Sequence, residues 1–237
     1  MGTKYIVLTG CLLAFTHPAF AGDRMSDHGG AVFHMFRSET DIGSTSDGAP
    51  VQSWDVEGWV GTDTNKLWLK TEGERKDSKL ESAEFWALYS RNISTFWDAQ
   101  AGIRYDSKPA STTYLTLGFN GLAPYFFETE AHLFLSQHGD VTARLREEND
   151  FLITQKLIVQ PYAELNLSAQ DVREQDLGAG ITDGKIGLQT RYEFTRKLAP
   201  YVDVHYGTKF GETASIAHRS GEDKDELVGA VGLRLMF

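Results

Sequence analysis

The residues best suited to chemistry in this 237-residue chain are few. The sharpest group is Glu128-x-Glu130-x-His132, two carboxylates and an imidazole at every second position. On an extended strand this spacing puts all three on one side. Carboxylate plus imidazole suits a divalent transition metal such as Cu(II) or Zn(II). Adjacent members of the row stand about 6.6–7 Å apart, so a neighbouring strand is expected to complete any site, with Asn120 and Glu148 as candidates. Near the N-terminus, Met25, His28, His34 and Met35 bring thioethers and imidazoles into eleven positions, ligand types that accept a soft monovalent or a borderline divalent ion. His205 beside Asp203 is a weaker candidate of the same kind. For nucleophilic catalysis the possible groups are Ser90, Ser136 with His138, and Ser215 with His218. None lies in a recognised catalytic setting, and polar loop chemistry explains each. No catalytic residue is assigned.

These side chains must be held by some fold, and the chain reads as alternating strands. From Val32 onward, segments of about ten residues alternate apolar and polar side chains between clusters of turn-forming residues, the pattern of a transmembrane barrel. In Lys185–Phe194, for example, Ile186, Leu188, Thr190, Tyr192 and Phe194 share one face and Lys185, Gln189, Arg191 and Glu193 the other. Twelve strands are predicted, with ten as the alternative: Val32–Glu39, Gln52–Gly61, Lys66–Glu74, Leu80–Ser90, Phe96–Asp106, Thr112–Asn120, Tyr125–Leu135, Asp140–Asp150, Leu157–Leu167, Lys185–Phe194, Ala199–Tyr206 and Leu227–Phe237. No segment has the periodicity of a stable helix. The expected fold is all-β, an antiparallel up-and-down barrel spanning a membrane.

Connection lengths fit that topology. Outer-membrane barrels keep periplasmic turns short and external loops longer. Thr62–Asn65, Arg91–Thr95, Gly121–Pro124 and Thr195–Leu198 are short, at parities where a periplasmic turn belongs. Thr40–Val51, Ser168–Gly184 and Gly207–Glu226 are long and polar, where external loops belong. Asp150–Lys156 does not fit, because Phe151, Leu152 and Ile153 are apolar; they either prolong the eighth strand or open the ninth. The last strand ends on Phe237, as outer-membrane strands commonly do. Trp54, Trp97, Tyr105, Tyr125, Phe127, Tyr192 and Tyr206 near strand ends fit interfacial aromatic belts.

The apolar stretch from Tyr5 to Phe20, preceded by Lys4 and followed by Ala19-Phe20-Ala21, reads as a signal peptide with cleavage after Ala21. The rival reading, lipidation at Cys11, leaves too short an apolar core before the cysteine. The domains expected are thus residues 1–21 as signal peptide, 22–31 as a short periplasmic tail and 32–237 as barrel. Loss of Cys11 leaves no cysteine, which excludes disulfides, thiol nucleophiles and thiolate metal sites. A net charge of −10 argues against a nucleic-acid partner and for cations.

Several strings resemble the copper resistance protein B family. They include Leu67–Arg75, Ala87–Arg91, Gly121–Glu128, Glu164–Leu167, Arg191–Phe194, Ala199–Val202 and Lys209–Ala214 within a match from about Trp54 to Phe237. The resemblance implies a protein of the cell outer membrane that contributes to copper resistance, sequestering or exporting copper as bound ligand or cargo. Outer-membrane lipid and periplasmic copper-resistance proteins are the further partners it implies. Family members often carry a long N-terminal extension rich in Met and His; here only Met25, His28, His34 and Met35 stand in its place. The expected metal ligands are these four with Glu128, Glu130 and His132. Alternating faces also put Glu57, Glu72, Glu84, Asp98, Glu128, Glu130, Glu148, Glu164, Glu193 and Asp203 in the lumen with Lys70, Arg104, Arg144, Arg146, Lys185, Arg191 and Arg234, an acidic excess. Such a lumen is either a cation path or is plugged by its own ion pairs. A general cation porin or adhesin, or a lipid-modifying barrel enzyme, remains the alternative function.

Overall fold

The computed structural model describes residues 31–237. The strands are β1 (Phe33–Thr45), β2 (Pro50–Gly61), β3 (Asn65–Lys76), β4 (Lys79–Ser94), β5 (Trp97–Lys108), β6 (Thr112–Ala123), β7 (Phe127–Ser136), β8 (Val141–Glu148), β9 (Phe151–Leu152), β10 (Leu157–Ser168), β11 (Gly180–Tyr192), β12 (Leu198–Lys209) and β13 (Asp225–Met236). Each long strand pairs antiparallel with the next, and β13 pairs back onto β1. The short β9 continues the line of β8, and both pair with β10. The result is a closed barrel of twelve staves. Closure matters in lipid, where an unpaired sheet edge would leave its N–H and C=O groups without partners.

Alternation decides what each face meets. Ile103, Leu115, Leu117, Leu133, Ile186, Leu188, Val202 and Val231 lie exposed on the outer wall, where hydrocarbon surrounds them. Between them along the chain, Gln100, Arg104, Thr116, His132, Gln189, Arg191, Asp203 and Arg234 are buried inside. Every residue assigned to the lumen from the sequence lines the interior.

The chain termini of the barrel, Phe33 and Met236, lie at one end, the periplasmic end by the rule that both termini face the periplasm. Turns at that end are short. At the external end only two connections are long, residues 169–179 and 210–224. Three expectations need correction. Thr40–Val51 is not a long loop: β1 runs to Thr45 and β2 starts at Pro50. Its polar residues belong to strand because the lumen is polar, and Asp41 there accepts bonds from Ser53 and from Tyr201 Oη at 2.8 Å. Ser168–Gly184 likewise gives up its last residues, since β11 begins at Gly180.

The third correction is a helix. Gly211–Ser220 forms α1, which packs on β11 with Thr213 and Ala217 buried. It stops at Gly221, whose φ of 77° is the left-handed conformation of a C-terminal cap. Ten residues are too few for a helix to hold by itself, so its stability comes from docking on the loop below. Phe151 and Leu152 resolve the ambiguous segment by prolonging the eighth stave. Between β8 and β9, Asn149 turns its side chain to donate to the Tyr125 carbonyl at 3.0 Å, and Asp150 pairs with Arg191.

Candidate functional site

The interior is built from rungs of inward residues that face one another across adjacent strands. One rung runs Arg37, Glu57, Lys70, Trp86, Arg104, Tyr114 from β1 to β6. The next holds four acids, Asp55, Glu72, Glu84 and Asp106, on β2 to β5. Like charges directly opposite one another repel, so this rung needs cations from elsewhere. They come across the barrel from β8. Arg144 binds Glu72 and reaches Glu84 at 2.9 Å, while Arg146 stands 2.8 Å from Glu72, 2.7 Å from Glu164 and 3.7 Å from Asp55. Arg104 on β5 completes the set at 2.9 Å from Glu84 and 2.6 Å from Asp106.

Beside these rungs a cluster of Trp68, Trp86, Leu88, Tyr114 and Phe134 packs inside the same wall. Arg104 lies 4.6 Å from the Phe134 ring centre and 5.0 Å from that of Tyr114, within cation–π range. Side chains thus fill the lumen beside β2–β8, leaving a pocket of about 20 Å³ among the ion pairs. The remainder is an open cavity of about 1090 Å³. Carboxylates outnumber bases along its walls.

The row Glu128, Glu130, His132 faces this interior from β7. Glu128 is exposed at the periplasmic end and, among the described residues, makes no ion pair. Glu130 is already held, by Lys70 Nζ at 2.6 Å and by Asn120 Nδ2 at 2.9 Å. His132 is 3% exposed. Its Nε2 meets Gln100 Oε1 at 2.8 Å, its ring stands edge-on to Trp86 at 5.2 Å, and it lies across Gly118, where a Cβ would come within 2.4 Å of it. Glu148, opposite Glu128 in register, stands 3.6 Å from Arg37.

Met25 and His28 lie outside the described residues. Alternation separates the other two N-terminal candidates: Met35 lines the cavity and packs with Trp59 against the aromatic cluster, whereas His34 is exposed on the outer face. The sequence reading missed Met236, which also lines the cavity at the periplasmic end. It missed Arg37, Glu39, Asp41, Asp55 and Lys66 as well. All but Asp41 fall inside the predicted strands, so carrying period two through those strands would have found them. Among the described residues no three His, Cys, Asp or Glu side chains converge to enclose a metal ion. The serines considered as nucleophiles have structural bonds: Ser90 to Asp98 at 3.1 Å, Ser136 to Asp140 at 2.9 Å within a turn, and Ser215 to the Gly211 carbonyl.

Comparison with known proteins agrees with this architecture. Among solved structures, the chain resembles the NanC porin, with a TM-score of 0.59 at 13% identity over 84% of this chain and 98% of that one. The KdgM porin gives 0.55 at 12% identity, over 85% and 99%. Both likenesses show the barrel fold. In sequence, the chain is 42% identical over 186 residues to "Copper resistance protein B" of Escherichia coli, covering 78% of this chain and 63% of that protein. It is 40% identical over the same span to "Copper resistance protein B homolog" of Pseudomonas syringae pv. tomato, with the same coverage. The match therefore spans a little under two thirds of these relatives' length. The family model described as "Copper resistance protein B precursor (CopB)" matches residues 37–237, nearly the whole barrel, and the chain belongs to the copper resistance protein B family of outer-membrane β-barrels.

Proposed function

We propose that the protein contributes to copper resistance without catalysis, by drawing copper ions from the periplasm into an acidic barrel lumen and holding or exporting them there. The observation that carries this reading is the wall of the open cavity, where carboxylates exceed bases within a family named for copper resistance. An acidic, water-filled lumen favours cations over anions. Copper arriving at the periplasmic mouth meets Met35 and Met236 and the exposed carboxylate of Glu128. Met25 and His28 on the preceding tail, with His34 on the rim, are the candidate first ligands, thioether for Cu(I) and imidazole for Cu(II). Glu130 and His132 lie deeper, where copper would compete with Lys70 and Gln100 for them. Periplasmic copper-resistance proteins are the candidate donors at this mouth.

Growth on copper tests the proposal. A deletion strain should lose copper tolerance and regain it with the full chain; unchanged tolerance overturns the reading. A second reading, a cation porin without copper preference, is favoured by the lack of a three-ligand cluster among the described residues. Planar-bilayer conductance separates the two. A porin passes K⁺ unaffected by micromolar Cu(II), whereas a copper-handling lumen is blocked by it.

A further inference from the structure

We infer that the imidazole by which the lumen engages Cu(II) is His205, held in position by Asp203; the inference rests on the copper reading above. Two described histidines face the interior, and their surroundings differ. His132 has its Nε2 committed to Gln100 and its ring packed against Trp86 and Gly118. Coordination there would break a buried hydrogen bond and displace a packed ring.

His205 is arranged the other way. It lines the open cavity with 14% of its side chain exposed, and its Nδ1 is 2.7 Å from Asp203 Oδ2. A carboxylate at that distance assigns the proton to Nδ1, which leaves the Nε2 lone pair free. Among the described residues Nε2 has no hydrogen-bond partner. This is the arrangement metal-bound histidines use, one nitrogen donating to a carboxylate while the other binds the ion. Asp203 is fixed in turn, since the Tyr162 hydroxyl donates to its carboxylate, 3.1 Å from both oxygens.

Glycine makes that bracket possible. Tyr162 on β10 reaches Asp203 on β12 by lying over β11 at Gly187, where a Cβ would come within 2.3 Å of the ring. Gly187 is also the residue opposite His205, with Val228 on its other side, and the imidazole reaches the open cavity between them. One imidazole completed by water is a weak site. Weakness suits an ion that has to move on, since conduction needs binding loose enough to release. Of the first-row divalent ions, Cu(II) binds such a ligand most strongly.

The test is a Cu(II) titration of the full purified chain, folded in detergent, followed by continuous-wave and pulsed electron paramagnetic resonance. His205→Gln should lose one imidazole-coordinated Cu(II) per barrel, and His132→Gln should keep it. Asp203→Asn should retain the imidazole signature while weakening affinity about 10–100-fold, the usual effect of removing such a carboxylate. Asp203→Glu should recover part of that loss, as a positioning residue requires. Heat-modifiable gel migration reports folding of each variant. A wild-type spectrum and stoichiometry in His205→Gln overturns the inference, as does loss of the signal in His132→Gln instead. If His205→Gln fails to fold, unchanged affinity in Asp203→Asn overturns it. Copper tolerance separates the two levels: a wild-type chain that cannot restore tolerance removes the broader reading. A chain that restores it, with His205→Gln equal to wild type in spectrum, removes only this inference.

Discussion

The two walls of the lumen obey the same alternation and end up opposite in character. On β2–β5, two successive rungs are filled by large side chains, and arginines from β8 cross the barrel to neutralise the acid rung. On β11–β13 and β1, the inward positions alternate differently. Gly187 faces His205 and Val228 faces Thr45; Asp203 faces Ala230, which faces Gly43; Tyr201 faces Gly232, which faces Asp41. Small residues keep this part of the wall thin, and tyrosines lying across glycines hold Asp41 and Asp203. Residue size, not polarity, therefore decides where the polar lumen is plugged and where it stays open.

The largest expected effect comes from breaking the plug. Arg144→Ala removes the cation shared by Glu72, Glu84 and Glu164, leaving Glu72 and Glu164 to Arg146 alone and Glu84 to Arg104 alone. Removing one partner of a buried ion pair costs about 3–5 kcal/mol. Urea unfolding followed by tryptophan fluorescence should show that loss. Asp41→Asn on the thin wall still accepts from Tyr201, so it should cost only about 1 kcal/mol, the value of a single bond. Equal losses in the two variants would contradict the division into walls.

Next comes the contrast between inside and outside on one strand. Leu188 is exposed on the outer face of β11 and Gln189 is buried on the inner. Leu188→Arg places a charge in hydrocarbon and should cost about 2–4 kcal/mol near the bilayer midplane. Gln189→Ala should cost less, since its partners Glu39 and Arg234 also bond to each other. Matching tolerance at both positions would shift the register of the whole barrel.

How far this was legible in the sequence follows from which interactions are local. The strands were readable because a side chain's face depends only on its parity, and that parity put Glu128, Glu130 and His132 in one inward row. Thr40–Val51 misled because Asp41 and Gly43 are turn formers in water but inward-facing strand residues in a barrel, and only residues 46–49 make the turn. The partners of the row were not readable. Lys70 and Glu130 are 60 residues apart, and Arg144 and Glu72 are 72 apart, so nothing local encodes their meeting. Helix α1 escaped because its stability comes from the loop beneath it, through Thr213 Oγ1 accepting from Gly178 N at 2.9 Å.

A smaller effect tests the tyrosine brackets. At Gly232 a Cβ would lie 2.3 Å from Tyr201 Cζ, so Gly232→Ala must push the ring off its bed and away from Asp41. A bond to a charged group is worth about 1.5–3 kcal/mol, and the loss should appear as a lowered urea midpoint. Tyr201→Phe in the same background should add almost nothing, because the bond is already gone. Full additivity of the two changes would show that the ring does not depend on the glycine.

The smallest expected change in stability carries the clearest consequence for passage. The external loop 169–179 folds inward so that Gln175 donates to Tyr114 and, at 3.4 Å, to Thr112 on β6, while Leu177 beside it lines the cavity. Helix α1 holds this loop from behind through Gly178. The loop therefore ties the thin wall to the plug wall across the external mouth. Gln175→Ala cuts the tie at a cost of about 1 kcal/mol, the net worth of an ordinary hydrogen bond. With the loop no longer fastened to β6, the external mouth widens, and single-channel cation conductance in planar bilayers should rise while the urea midpoint hardly moves. Gln175→Glu is the control, because a carboxylate accepts from the Tyr114 hydroxyl in place of the bond that the amide donates and keeps the loop down; its conductance should stay near that of the wild type. If Gln175→Ala conducts like the wild type, the loop does not limit passage, and the narrowest point lies among the arginine struts of the plug wall.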